Sequence, residues 1–229
     1  MTIKENVHHI LDDIATIAQR CGRNPADITL CAATKTQSDE AIAEAVAAGV
    51  TICGENRVQE LQSHLPANPY KGASLHFIGT LQSNKINQLV GTVDLIQSIS
   101  SRKLIQGVSA RAQKLEVVQD ILLEVNLGSE ASKSGFSPEE LEEIAFFAAE
   151  QKNIFLRGFM AIPPNSRVFG DGEKYFERLY QLYIDISAKM SDNYNKLDCL
   201  SMGMSDDYPL AIAHGATLVR VGTALFGHR

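Results

Sequence analysis

Eight short apolar runs, separated by stretches of helical character, dominate the sequence. They are ITLCAAT (28–34), TIC (51–53), LHFIG (75–79), VDLIQ (93–97), VVQDILLEVN (117–126), IFLRGFMAI (154–162), LDCLSMG (197–203) and ATLVRVG (216–222). Runs of this length, rich in β-branched residues, suit buried strands better than helices. Between them lie helix-like segments such as DEAIAEAVAAG and SPEELEEIAFFAAEQ. The second opens with Ser137, Pro138 and Glu140: a cap, a first-turn proline and a capping-box acid. The first ends at Gly49, a residue suited to a helix C-terminus. Strands that alternate with helices imply parallel strands joined by crossover helices. The pattern predicts an α/β fold, a single (β/α)8 TIM barrel. A doubly wound open sheet is the alternative, and strand count alone does not separate the two. An extra helix precedes the first strand, because Ile3, Val7, Ile10, Leu11, Ile14 and Ile17 recur at helical spacing. No composition break marks a linker, so residues 1–229 are expected to form one domain. The turn-rich PPNSRVFGDG (163–172) is read as a surface loop.

Composition excludes several function classes. A net charge of −6 argues against a broad nucleic-acid surface, which needs clustered basic residues. No apolar run reaches the roughly 18 residues of a membrane span. The mixed, charged N-terminus is unlike a signal peptide. Cys21, Cys31, Cys53 and Cys199 show no CxxC spacing, and Cys31 and Cys199 sit in apolar runs as small core residues. A reducing cytoplasm suits that usage. His8 and His9 lie in the first helix, and His64, His76, His214 and His228 show no ligand spacing, so no metal is expected.

In a barrel, functional residues gather where the strands end at their C-terminal tips. Polar segments follow the apolar runs here: TKT at 34–36, GENRVQE at 54–60, GTLQSNK at 79–85, NLGSEASKSG at 126–135, MGMSDD at 202–207 and RVGT at 220–223. Alternation along the first strand puts Cys31, Ala33 and Lys35 on one face. If that face lines the barrel, burial lowers the pKa of Lys35 and makes its amine a nucleophile toward a carbonyl. The plainer reading is a rim lysine that snorkels to water. The last two strands supply a second feature. Barrels of this type often bind phosphate after strands seven and eight. Ser205 is expected at a helix N-terminus, where free N–H groups attract anions. Gly222 allows close backbone approach, and Thr223 adds a hydroxyl. Alone, each reads as a cap or a turn residue; together they suit a ligand with both an aldehyde and a phosphate, such as pyridoxal 5′-phosphate (PLP).

These segments carry a resemblance. TKT at 34–36, GEN with VQE at 54–60, HFIGTLQSNK at 76–85, SKSGF at 132–136, RGFMAIP at 157–163, MGMSDD at 202–207 and VRVGTALFG at 219–227 occur in order along nearly the whole chain. The sequence resembles the YggS/PROSC family, the pyridoxal phosphate homeostasis proteins. The resemblance implies a barrel similar to the N-terminal domain of alanine racemase, with Lys35 as the Schiff-base lysine. It implies that Ser205, Gly222 and Thr223 bind the phosphate and that Arg220 faces the pyridine nitrogen. Asn56, His76 and Ile78 fall on motifs around the cofactor, while Met202 and Gly203 precede the phosphate serine and are expected to shape the ring pocket. Ser83, Asn84 and Lys85 of the LQSNK signature carry no assigned role. Arg57 departs from the family, which usually has Tyr after GEN.

The expected function is carriage of PLP in vitamin B6 and amino-acid homeostasis, without clear turnover and with no catalytic residue assigned. An arginine beside the ring nitrogen disfavours its protonation and weakens the ring as an electron sink. Racemisation also needs acid/base groups on both faces of the α-carbon. Alanine racemase takes its opposing tyrosine from a second domain across a dimer, and this chain is expected to lack that domain. Apo-PLP enzymes are the expected acceptors, and the protein is expected to be a monomer that binds neither nucleic acid nor membrane. A small PLP-dependent amino-acid racemase is the alternative. A Schiff-base aldolase fits poorly, since Lys35 lies on the first strand.

Overall fold

A computed structural model describes residues 2–128, 134–163, 172–190 and 196–227. The SEASK segment (129–133), most of the loop at 163–172 and His228 lie outside the described residues. Each apolar run overlaps one strand: β1 Thr29–Ala33, β2 Ile52–Glu55, β3 Ser74–Phe77, β4 Leu95–Ile99, β5 Gln119–Glu124, β6 Ile154–Met160, β7 Cys199–Ser201 and β8 Leu218–Val221. The helices are α1 Ile3–Arg20, α2 Asp39–Ala47, α3 Val58–His64, α4 Ile86–Leu89, α5 Arg102–Leu115, α6 Leu141–Ala149, α7 Gly172–Met190, α8 Tyr208–Ala213 and α9 Thr223–Phe226.

All neighbouring strands pair in parallel, and β1 closes on β8 with Cys31 opposite Arg220. That closure rules out the open sheet. Alternation then divides the side chains into two cores. Cys31, Ile78, Leu95, Leu122, Met160, Cys199 and Leu218 fill the barrel. The opposite face of each strand packs in a larger core with the helices, through residues such as Ala32, Cys53, Phe77, Leu200 and Val219. Gly54 makes the interior packing possible, since a Cβ there would lie 2.8 Å from the Cys31 sulfur and 2.9 Å from Ile78.

The local signals hold with small shifts. Ser38 caps α2 by accepting from Ala41 N–H at 3.3 Å. Ser137 and Glu140 form their reciprocal pair one turn before regular helix begins at Leu141. The extra helix α1 is capped by Thr2 and Glu5 and buries Val7, Ile10, Ile14 and Ala18. It is tied to α9 through Asn6, whose amide donates to the Leu225 carbonyl at 2.7 Å. Among the described residues, no helix is long and apolar enough to cross a membrane.

Candidate functional site

The loops after β7, β8 and β1 meet at the C-terminal mouth of the barrel. Ser205 lies in the turn before α8, three residues short of the helix start at Tyr208. The expected helix cap is therefore absent. Its hydroxyl instead accepts from Gly222 N–H at 3.2 Å and Ala224 N–H at 3.4 Å, across the gap to the next loop. Both bonds are long, so a stronger acceptor competes well for these donors. Gly222 is in close contact with β1: a Cβ would sit 3.3 Å from Ala33 Cβ. Thr223 is exposed beside it. Two residues beyond Ala33, on the same side of the strand path, comes Lys35.

Lys35 is exposed and occupies a turn rather than the strand itself. Of the two sequence readings, the exposed position matches the rim lysine that reaches water rather than a lysine buried in the barrel. The next residue, Thr36, has φ of 62°. A β-branched residue in the left-handed region is strained, and such strain persists only when neighbours enforce it. The enforcing group is Glu60 on α3, whose Oε2 accepts from Thr36 N–H at 3.1 Å. The same carboxylate takes Arg57 on its other oxygen at 3.4 Å. Arg57, the departure from the family pattern, is thus an exposed partner of Glu60.

The GEN motif divides its roles by alternation. Gly54 faces the barrel interior. Glu55 turns into the helix layer, fully buried, where it accepts from Thr34 and from Tyr70 at 3.0 Å. Burial raises its pKa. Asn56 returns toward the mouth, and its Oδ1 is buried without a partner. A buried acceptor left unpaired is costly, which makes this atom a candidate ligand contact. Gly79 is required beside it, because a Cβ there would lie 1.9 Å from the Asn56 carbonyl oxygen.

Arg220 stands buried inside the barrel below the mouth, 5% exposed. Its Nη2 donates to the Ala161 carbonyl at 2.9 Å, its Nη1 donates to Ser201 Oγ, and its backbone N–H donates to Gly203 at 3.0 Å. Gly203 needs its φ of 90° and its missing Cβ, which would meet Ala211 Cβ at 2.5 Å. Glu124, which no sequence pattern singled out, carries a carboxyl raised in pKa by burial, with Arg220 acting against that rise. One Glu124 oxygen accepts from Ser134 at 2.8 Å and the other is buried without a partner.

Three further candidates have other surroundings. Met202 packs in the outer core with the helices. Ile78 is part of the interior apolar cluster. His76 lines a cavity of about 290 Å³ at the opposite, N-terminal end, together with Asp94, Asp120, Arg157 and Asp198. Tyr208, the one tyrosine near the phosphate loop in sequence, donates to Asp13 on α1 and so points out of the barrel. Lys85 lies in a short 3-10 turn at Ser83–Lys85. Among the described residues, no group of His, Cys, Asp and Glu could hold a metal ion.

Known proteins resemble this chain. The model of the alanine racemase N-terminal domain matches residues 6–229. The pyridoxal phosphate homeostasis protein of Aquifex aeolicus is 40% identical over 230 residues, covering 100% of this chain and 99% of that one. Its counterpart from Escherichia coli K12 is 39% identical, covering 99% of this chain and 97% of that one. The structure of PipY from Synechococcus elongatus with PLP bound has a TM-score of 0.79 at 33% identity, over 93% of this chain and 100% of that one. An alanine racemase from Clostridium difficile shares the fold alone, with a TM-score of 0.70 at 17% identity; 98% of this chain covers 57% of the racemase. Full-length matches near 40% identity to proteins of one name leave one conclusion: the chain belongs to the pyridoxal phosphate homeostasis protein family.

Proposed function

We propose that this protein binds PLP reversibly at the barrel mouth and carries it in vitamin B6 and amino-acid homeostasis. The observation that supports the reading is the Ser205–Gly222–Ala224 cradle, which the β8–β1 closure sets against Ala33, two residues before Lys35. The donor set fits the cofactor. Backbone N–H groups of Gly222 and Ala224, with the hydroxyls of Ser205 and Thr223, suit a phosphate. Asn56 offers an unsatisfied buried acceptor. Arg220 is a fixed, permanently charged donor for the ring nitrogen. When bound, PLP would supply an aldehyde reactive toward a primary amine. Lys35 presents that amine from an exposed turn, where release remains open to water and to competing amines. Residues 1–229 are treated as one binding domain, acting in the cytoplasm as a monomer, with apo-PLP enzymes as acceptors.

A racemase needs a second acid/base group across the substrate. Tyr208 does not serve, because Asp13 holds its hydroxyl on the outside of the barrel. Carriage is therefore favoured over turnover.

The cradle is tested by Ser205→Ala and Thr223→Ala. Each removes a hydrogen bond to a charged acceptor, worth about 1.5–3 kcal/mol, so PLP binding is expected to weaken about tenfold or more. Pyridoxal, which lacks the phosphate, is expected to bind both variants nearly as it binds the parent. Equal proportional losses for PLP and pyridoxal in a fluorescence titration would place these hydroxyls elsewhere.

A further inference from the structure

Arg220 is the start of a buried hydrogen-bond chain that runs down the barrel interior. Its Nη1 donates to Ser201 Oγ. Ser201 donates to Gln97 Oε1 at 2.7 Å. Gln97 Nε2 meets His76 Nδ1 at 2.9 Å. Ser201 and Gln97 are fully buried and His76 is 6% exposed.

The polarity of this chain is fixed from one end. A guanidinium only donates. Ser201 must therefore accept from Arg220 and spend its own proton on Gln97. Gln97 then turns its carbonyl to the serine and its amide to His76. His76 Nδ1 must carry a lone pair, which leaves the proton on Nε2 and the ring neutral. Burial independently favours the neutral ring, pulling the His76 pKa down to about 4. Asp94 acts against that shift and Arg157 with it. The Gln97 amide also explains why the chain is not a proton wire: an amide orients its neighbours but does not readily pass a proton on.

We propose that Ser201 and Gln97 are positioning residues that aim the Arg220 guanidinium at the cofactor ring, and that His76 is the terminal acceptor of this chain rather than a ligand of the cofactor. The idea rests on the PLP-binding reading above. Arg220 has five donors and only two side-chain partners among these bonds, Ser201 and the Ala161 carbonyl. Removing Ser201 frees half of that hold and lets the guanidinium rotate in its plane. Gln97 in turn keeps the serine lone pair, rather than its proton, facing the arginine.

Two measurements test the chain separately from the cofactor. In the ligand-free protein, nitrogen-15 NMR of the histidine rings is expected to show His76 with Nδ1 unprotonated and Nε2 protonated from pH 5 to 8. Gln97→Glu removes the amide donor and places an acceptor opposite the ring, so Nδ1 is expected to gain a proton. A wild-type Nδ1 that is already protonated, or a Gln97→Glu ring unchanged from wild type, would overturn the chain. With PLP, Ser201→Ala is expected to weaken binding about tenfold, the size of one misdirected bond to a charged donor, and to shift the visible band of bound PLP and its pH midpoint. Thermal unfolding of the same variant shows that the fold persists. Wild-type affinity, band and midpoint in a folded Ser201→Ala would sink the positioning role. If wild type fails to bind PLP while His76 shows the expected tautomer, the function proposed above fails and not the chain.

Discussion

Lys35→Ala is expected to abolish covalent capture of PLP. Wild-type protein mixed with PLP and then reduced with borohydride is expected to yield one adduct, on the peptide that carries Lys35. The variant is expected to yield none there, while retaining weak PLP binding through the cradle. The reasoning is geometric. Lys35 precedes a strained turn at Thr36, pinned by Glu60, and lies two residues beyond Ala33, which packs against Gly222. A free lysine elsewhere on the surface condenses with PLP too, but without the phosphate contacts that hold the aldehyde close, so effective concentration favours Lys35. Recovery of the main adduct on Lys85, on Lys133 or on any other lysine would remove Lys35 from the site.

Gly79→Ala is expected to cost about 3 kcal/mol of stability, at the upper end for overpacking. The added Cβ would stand 1.9 Å from the carbonyl oxygen of Asn56, and that oxygen belongs to backbone that cannot rotate away. Either β2 and β3 separate at their C-terminal ends or the loop after β2 moves. Both routes displace Asn56. With total stability of a domain near 5–15 kcal/mol, the loss is readily measured by urea unfolding. A change within about 0.5 kcal/mol, typical of an unremarkable surface substitution, would show that the rim relaxes freely.

The barrel was legible because eight apolar runs of strand length alternate with helix signals, and each of β1 to β8 overlaps one run, with β2, β3 and β4 reaching one or two residues beyond theirs. The extra helix was legible from the spacing of Val7, Ile10 and Ile14, which are buried as that spacing requires. Alternation also gave the inward face of β1 correctly. It did not give depth along the barrel. His76 and Arg220 both face inward, yet His76 lines the cavity at the far end. Parity says in or out, and the stagger of the strands decides the level. Met202 follows the inward Ser201, so parity alone sends it outward, where it packs. The sequence left open whether Lys35 is buried or reaches water, because the point where the chain leaves β1 and turns at Thr36 has no periodic signature. Gln97 and Ser201 did have a signal: they are polar residues at inward positions of otherwise apolar strands. Glu60 had none, since a glutamate in an amphipathic helix usually faces water.

On the proposed function, the protein carries PLP and does not turn over amino acids with it. The most direct measurement loads the protein with PLP and adds L-alanine in deuterated water, with an apo-PLP enzyme as acceptor. Chiral chromatography follows the D-isomer, and acceptor activity follows PLP transfer. Steady transfer of PLP with little D-alanine is the expected result. Rapid, catalytic formation of D-alanine with no transfer of PLP would contradict it and make the protein a racemase.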